Sequence, residues 1–305
     1  MYFLSREEQR YLLRRLLPQA REDEVHPEFR GWNWHQPPLL PVYEPWLALY
    51  EVANRYCPTG RDVFLRRVLG HRPAPNAAMI AGRVLHQVVA DLVLAAKRAI
   101  YTAGPGGCLA ALLALPGPNG ALDDAAGLDP AQQTTLTEQA QTLWAFEQRR
   151  VVTRVEDVLS RQPHIGADSL ATLALPVTVE SRLDGRFLGL SSHLSADAFN
   201  FAEPMMVDLK FGPPRRFHRL STTGYALVME SLYEAPVNVG CVVYVRFRDG
   251  QVLIERDFHH LSDELRQEFI EARDERAQMV EEEIDPGAPP ECPATCHCWS
   301  FCHGE

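Results

Sequence analysis

"PMMVDLKF", residues 204–211, reads as a strand with one apolar and one charged face. Side chains alternate across a strand, so Met205, Val207 and Leu209 point into a core while Asp208 and Lys210 share the opposite face, about 7 Å apart. A carboxylate and an ammonium at that separation can serve different partners: Asp208 a metal ion, Lys210 a water or phosphate oxygen beside it. Composition singles out the lysine. Of 30 basic residues only two, Lys97 and Lys210, are lysines. Arginine stays protonated and presents a wide planar fork, whereas lysine is a compact charge that burial and neighbours can tune. A chain that writes almost all its positive charge as arginine is expected to keep a lysine here for chemistry.

The flanking sequence extends this reading. "LSADAFN" (194–200) puts Asp197 near the end of the preceding strand, where a hairpin can set it beside Asp208. In isolation Asp197 reads equally as a turn-capping residue. Two carboxylates and a lysine on adjacent strands make a site for a hard divalent cation and a phosphodiester. Asp184, in "LDGRF", rivals Asp197, although its Asp-Gly pair reads better as a hairpin turn. His86 lies in "AGRVLHQVVADLVLAAKRAIY" (81–101), where Leu85, Val88, Val89, Leu92 and Ala96 recur at helical spacing, so one face is buried. A histidine in such a helix is by itself more often a core residue than a ligand.

Farther out, residues 1–165 read as a mostly helical part carrying Cys57 and the His86 helix, with a loose Gly/Ala/Pro-rich insertion at 102–133 and a long helix from about Pro130 to Ser160. Residues 166–260 read as a sheet region: a meander over 170–211 with a break near 200–204, a helix over 218–234, and two further strands joined by "RDG". Residues 261–305 hold a helix opening at Ser262 and then a Cys-rich tail. The composition, 46% hydrophobic and 23% charged, is that of a globular protein with a sizeable core. No stretch reads as a membrane span, and "MYFLSREEQRYLLRRLL" (1–17) reads as an amphipathic helix, not a signal peptide, so a cytoplasmic protein without membrane partners is expected. The net charge of -10 argues against a generic nucleic-acid-coating role. Locally, "KFGPPRRFHR" (210–219) concentrates Lys210, Arg215, Arg216 and Arg219, the run Arg215, Arg216, His218 and Arg219 lies where a phosphate backbone would pass, and Trp32 and Trp34 could stack on unpaired bases.

Seven cysteines are placed unevenly. Cys292, Cys296, Cys298 and Cys302 crowd the last fourteen residues, "ECPATCHCWSFCHGE" reading as a metal site before a disulfide framework. A four-thiolate site needs one more ligand beside Cys292, Cys296 and Cys302: either Cys298 or a distant residue such as Cys57 in "RYCPTGRD". Thiolates alone suit Zn²⁺ or an iron–sulfur cluster.

The order of these motifs resembles the RecB-type branch of the PD-(D/E)XK nucleases: a helix with "GRVLH", a strand with Asp197, a strand with "VDLK", then a helix with "TTGYALVMES". The resemblance implies a restriction-endonuclease-like α/β core, a mixed central sheet flanked by helices. It implies His86, Asp197 and Asp208 as ligands of Mn²⁺ or Mg²⁺, Lys210 as the catalytic lysine and Tyr225 as the tyrosine of a Q-x-x-x-Y helix. The glutamine position is Ser221 here, which removes the polar contact glutamine would make. One cysteine before the core and three after it is similar to the arrangement in iron–sulfur RecB-like nucleases, AddB-type subunits and CRISPR-associated exonucleases of the Cas-four kind. The opening residues and size look most like the branch of the latter found at subtype I-A loci. That implies a 4Fe-4S cluster on Cys57, Cys292, Cys296 and Cys302, and a DNA exonuclease trimming prespacer ends before integration. The expected partners are single-stranded DNA, or duplex ends with overhangs, and the integrase subunits. The alternative is a catalytically weak scaffold of the same integration complex.

Overall fold

The computed structural model describes residues 1–125, 127–200 and 204–304. Helices dominate the first half. They are α1 (Arg6–Tyr11), a π turn (Leu12–Leu16), α2 (Leu17–Glu22), α3 (Leu49–Ala53), α4 (Arg61–Arg67), α5 (Ala77–Leu113), α6 (Asn119–Leu122), α7 (Pro130–Arg161) and α8 (Ala167–Ala174). A five-stranded sheet follows in the order β1 (Val177–Leu183), β2 (Leu194–Asn200), β3 (Met205–Lys210), β4 (Val239–Arg248) and β5 (Gln251–His260). Helix α9 (Arg219–Tyr233) lies between β3 and β4, and α10 (Asp263–Glu281) and α11 (Trp299–His303) close the chain. The expected mixed sheet flanked by helices is what the chain forms.

Three of the four strand pairings are antiparallel, and β3 with β4 is parallel. A parallel pair cannot be joined by a tight turn, so α9 is its crossover. This brings the start of α9 back to the end of β3. One face of the sheet packs on α5 and α7, where Val84, Leu85, Val88 and Leu92 meet Val207, Leu209, Cys241, Val243 and Val245. The other face packs on α9 and α10, joining Met206 to Leu220, Leu227, Val228, Phe269 and Ile270. A Cβ on Gly224 would collide with the Phe269 ring, so the small residue sets the α9–α10 approach. Glu230, fully buried on α9, accepts two bonds from Arg266 (2.7 and 3.0 Å), one from Arg30 (2.9 Å), and the N–H groups of Gly31 and Val237. A buried carboxylate demands such full compensation, and here it ties α9 to α10 and to the N-terminal loop.

Several local expectations change. Residues 102–113 are not loose: α5 continues through them past a kink at Gly104 (φ 64°). Pro105, directly after the kink, is tolerated because the first turn of a helix leaves its N–H groups unpaired anyway. Residues 170–174 belong to α8, not to a strand. Helix α5 is also long and apolar enough by composition to cross a membrane, contrary to expectation, yet its apolar residues form the core against α7 and the sheet. Trp34 stacks on Phe187 with centroids 4.4 Å apart, and the Arg30 guanidinium lies over Trp32, so both are packing anchors. The chain break expected near 200–204 falls largely on residues 201–203, outside the described residues.

Candidate active site

Strands β2 and β3 part company at the site. Their pairing runs from Asn200↔Met205 to Ala198↔Val207. The Leu209 N–H then donates not to a backbone carbonyl but to Asp197 Oδ2, at 2.8 Å. Asp197 Oδ2 also lies 3.4 Å from His86 Nδ1 on α5. On the other side Lys210 Nζ meets the Asp208 carboxylate at 3.0 Å (Oδ1) and 2.8 Å (Oδ2). His86, Asp197, Asp208 and Lys210 are thus brought together, with side-chain exposures of 25, 18, 6 and 22%.

Their electrostatics follow from burial. Desolvation pushes the Asp208 carboxyl up to about 6, against the pull of Lys210 and with the push of Asp197. Burial raises Asp197 as well, opposed by Lys210 and the Leu209 N–H. His86 is lowered to about 4 by burial and then by Lys210, so its imidazole is neutral and able to ligate. Burial pulls Lys210 down, but Asp208 and Asp197 together outweigh it and hold the ammonium charged. Asp208 Oδ2 is buried and, despite its proximity to Lys210, has no hydrogen bond of acceptable geometry. Two crowded carboxylates, an orphaned oxygen and a neutral imidazole form a donor set that fits a hard divalent cation.

Tyr225 donates to the Ser195 carbonyl at 2.5 Å and so braces the strand that carries Asp197; burial, then Asp197 and Asp208, push its hydroxyl far above its usual range. Ser221 is buried on α9. Asp184 is engaged at the surface by Arg186 (2.6 Å) in the β1–β2 connection and does not join the cluster.

One feature escaped sequence reasoning and another was read differently. Glu180 sits across from Asp197, between the pairs Val179↔Ala198 and Ser181↔Ala196, with φ 49°. Below it Val177 and Val179 join the α5 side of the core; above it Leu183 joins the α9 side. The left-handed residue inverts the alternation, so a period-two reading misassigns its face. Its charge acts on both His86 and Tyr225. The second is His218, expected in the basic run that meets the phosphates but almost fully buried, bonded to Tyr56 Oη through Nε2 (2.9 Å) and to Tyr244 Oη through Nδ1 (3.2 Å). Tyr244 is the β4 partner of Lys210.

A second cluster gathers at the tail. Burial, then Cys296, Cys302 and Cys57, push the Cys292 thiol up to about 11, and burial, then Cys296, push Cys298 up to about 12. The charges of Cys57, Cys296 and Cys302 act on both Cys292 and Cys298, although Cys57 and Cys292 are 235 positions apart (292 − 57). Thiols that raise one another's pKa release that repulsion when a metal binds. Cys298 is buried in the small core of Val63, Phe64, Leu65 and Met279, against which Cys296 and Cys302 also pack. The donor atoms of Cys296, His297 and Cys298 also lie within 4.8 Å of one another. The tail can hold a metal.

The profile of one protein family, CRISPR-associated exonuclease Csa1, matches residues 1–305. A CRISPR-associated exonuclease Csa1 of Thermoproteus tenax is 33% identical over 291 residues, covering 95% of this chain and 96% of the relative. One of Saccharolobus solfataricus is 32% identical over 282 residues, 92% of each chain. No solved structure matches. With a family profile matched over its full length and two relatives aligned nearly end to end, the chain belongs to the CRISPR-associated exonuclease Csa1 family.

Proposed function

We propose that the chain is a metal-dependent deoxyribonuclease of the PD-(D/E)XK, RecB-like type that trims the ends of prespacer DNA before integration. The observation that carries this reading is the buried pairing of Lys210 with Asp208 at the end of β3, alongside Asp197 and His86. His86, Asp197 and Asp208 would hold Mn²⁺ or Mg²⁺, which when bound supplies positive charge to the phosphate and acidifies a water. Lys210, held protonated, donates toward a phosphate oxygen and orients the attacking water. Tyr225 and the Leu209 N–H keep Asp197 aimed at the site. Arg215 and Arg216, exposed just after the strand, take the flanking phosphates.

Cys57, Cys292, Cys296 and Cys302 are assigned to a 4Fe-4S cluster that staples the N-terminal helices to the tail; Cys298, buried and within 4.8 Å of Cys296, is the competing fourth ligand. The integrase subunits are the proposed partners, and the cytoplasm the proposed location. A second reading, a weakly active scaffold of the integration complex, draws on Ser221 at the position where the resembled family has glutamine.

The test is anaerobic incubation of the holoprotein with end-labelled single-stranded DNA and Mn²⁺, beside Lys210→Ala and Asp208→Ala. The nuclease reading requires cleavage by the parent alone. Equal cleavage by all three would remove it, and no cleavage by any would favour the scaffold. Visible absorbance near ~400 nm would assign the cluster over zinc.

A further inference from the structure

We propose that Tyr56 is a stacking platform for an unpaired base, forming with the loop 211–217 a subsite for the nucleotide next to the scissile phosphate. The proposal rests on the nuclease reading above and names a contact within it. Tyr56 is 63% exposed, which alone says little, since Tyr233 and Tyr101 are exposed to a similar degree. The Tyr56 hydroxyl is nonetheless pinned: it meets Nε2 of His218, itself 1% exposed, at 2.9 Å. Tyr244 Oη lies 3.4 Å from the Arg215 carbonyl, to which it donates, leaving its oxygen to accept from His218 Nδ1–H at 3.2 Å. Nε2 is then the acceptor for the Tyr56 hydroxyl, and the chain Tyr56, His218, Tyr244, Arg215 is directional. Burial, then Lys210 and Arg215, hold the imidazole neutral, as this assignment requires.

The ring is fixed from the side as well. Phe217 meets Tyr56 nearly edge-on, with centroids 5.0 Å apart at 84°. The His218 ring lies beside Tyr56 too, with centroids 5.9 Å apart at 55°. A ring pinned at its hydroxyl and by two neighbours, yet 63% exposed, offers area to a base and loses little entropy when one lies on it. Position supplies the rest. Tyr244 sits beside Lys210 in the β3–β4 register, and the Tyr56 hydroxyl feels the charges of both Lys210 and Asp208. Pro213, Pro214, Arg215 and Arg216 form an exposed, stiffened basic rim on the same loop. A phosphate on that rim brings its base toward Tyr56, and a base in a duplex stack could not lie on the ring. The subsite therefore selects single-stranded DNA, with little preference among bases because each offers a π face.

The experiment uses the full-length holoprotein and single-stranded oligonucleotides carrying one abasic site, moved stepwise from the end. For intact DNA, Tyr56→Ala should raise KM about tenfold, far more than it changes kcat, while Tyr56→Phe and Tyr56→Trp should stay within about threefold of the parent. At one position an abasic site should raise the parent's KM by a similar factor yet leave Tyr56→Ala unaffected. With 2-aminopurine at that position, binding should quench fluorescence in the parent and in Tyr56→Phe but not in Tyr56→Ala. This readout needs no cleavage, so it separates failure of the subsite from failure of the nuclease reading, which Lys210→Ala tests. Because Tyr56 adjoins Cys57, metal content and melting temperature are measured alongside; if the Ala variant misfolds, the Phe and Trp variants and the parent's abasic scan decide. Equal penalties from every abasic position, or the same quenching in Tyr56→Ala and the parent, would overturn the proposal.

Discussion

The sheet site and the cysteine tail solve the same problem, gathering ligands, by opposite means. At the sheet, Asp197, Asp208 and Lys210 stand on neighbouring strands with a packed core on both faces, and the backbone itself, through Leu209 N–H, aims one carboxylate. The geometry exists before any cation arrives, at the expense of crowded, partly desolvated charge. In the tail, the candidate donors sit on loops and a five-residue helix, and the Cys57 proposed to join them lies most of the chain away. There the ligand itself would close the loop, so binding and local folding are one event. Rigid strands therefore store repulsion that substrate chemistry can use, whereas the tail stores chain entropy that a bound metal converts into stability.

The largest effect should come from the sheet. Lys210→Ala is expected to lower cleavage about 10³-fold with DNA affinity changed only a few-fold, measured on end-labelled single strands and by anisotropy. Comparable losses in both would make Lys210 a binding residue and blur the contrast. Next, Cys296→Ser or chelation of the tail metal should destabilise by several kcal/mol, a fall on the order of 10 °C in Tm. A Tm indifferent to both would refute the staple.

Acid probes the sheet region in a third way. His86, His218 and His259 are each lowered to about 4, foremost by burial. The unfolded chain binds these protons near 6.5, so stability is complete above that pH and is lost as pH falls from 6.5 toward 4. His259→Gln should flatten this slope by up to roughly 3 kcal/mol between pH 7 and 4, read from denaturant midpoints. Asp208, raised to about 6, works the other way: its protonated form relieves the fold as pH drops below 6. The smallest change follows from that sign. At pH 8, Asp208→Asn should abolish Mn²⁺-dependent cleavage, yet with the cation removed by chelator it should raise stability by ~1–2 kcal/mol over the parent, because one of two crowded carboxylates is removed. A destabilised variant would mean that Lys210 already neutralises the pair.

Part of the sheet site was legible because the whole chain holds only two lysines, and because strand alternation acts locally, setting Asp208 and Lys210 on one face within "PMMVDLKF". Helix α7 was legible for the same reason, with Asp129 capping it and Pro130 in its first turn. The neighbourhood of Cys57 and Cys292 was readable only through resemblance, since no local pattern links positions so far apart. What stayed hidden were tertiary and backbone exceptions. Glu180 adopts a conformation that side-chain-bearing residues seldom take, and it reverses the face of everything beyond it. Gly104 and Pro105 look like a linker by composition, yet they join two helical stretches end to end. Tyr56 and His218 meet only because α9 folds back over β3.

The bond from Leu209 N–H to Asp197 has a further implication for how activity could be lost over evolutionary time. Replacing Asp197 with alanine would strip a donor of its acceptor where the strands separate, so the damage would spread into the scaffold. Asparagine preserves that acceptor while discarding the negative charge. Silent descendants that still fold should therefore carry asparagine there, and an Asn at position 197 would be the genetic signature of a retired nuclease kept for its shape.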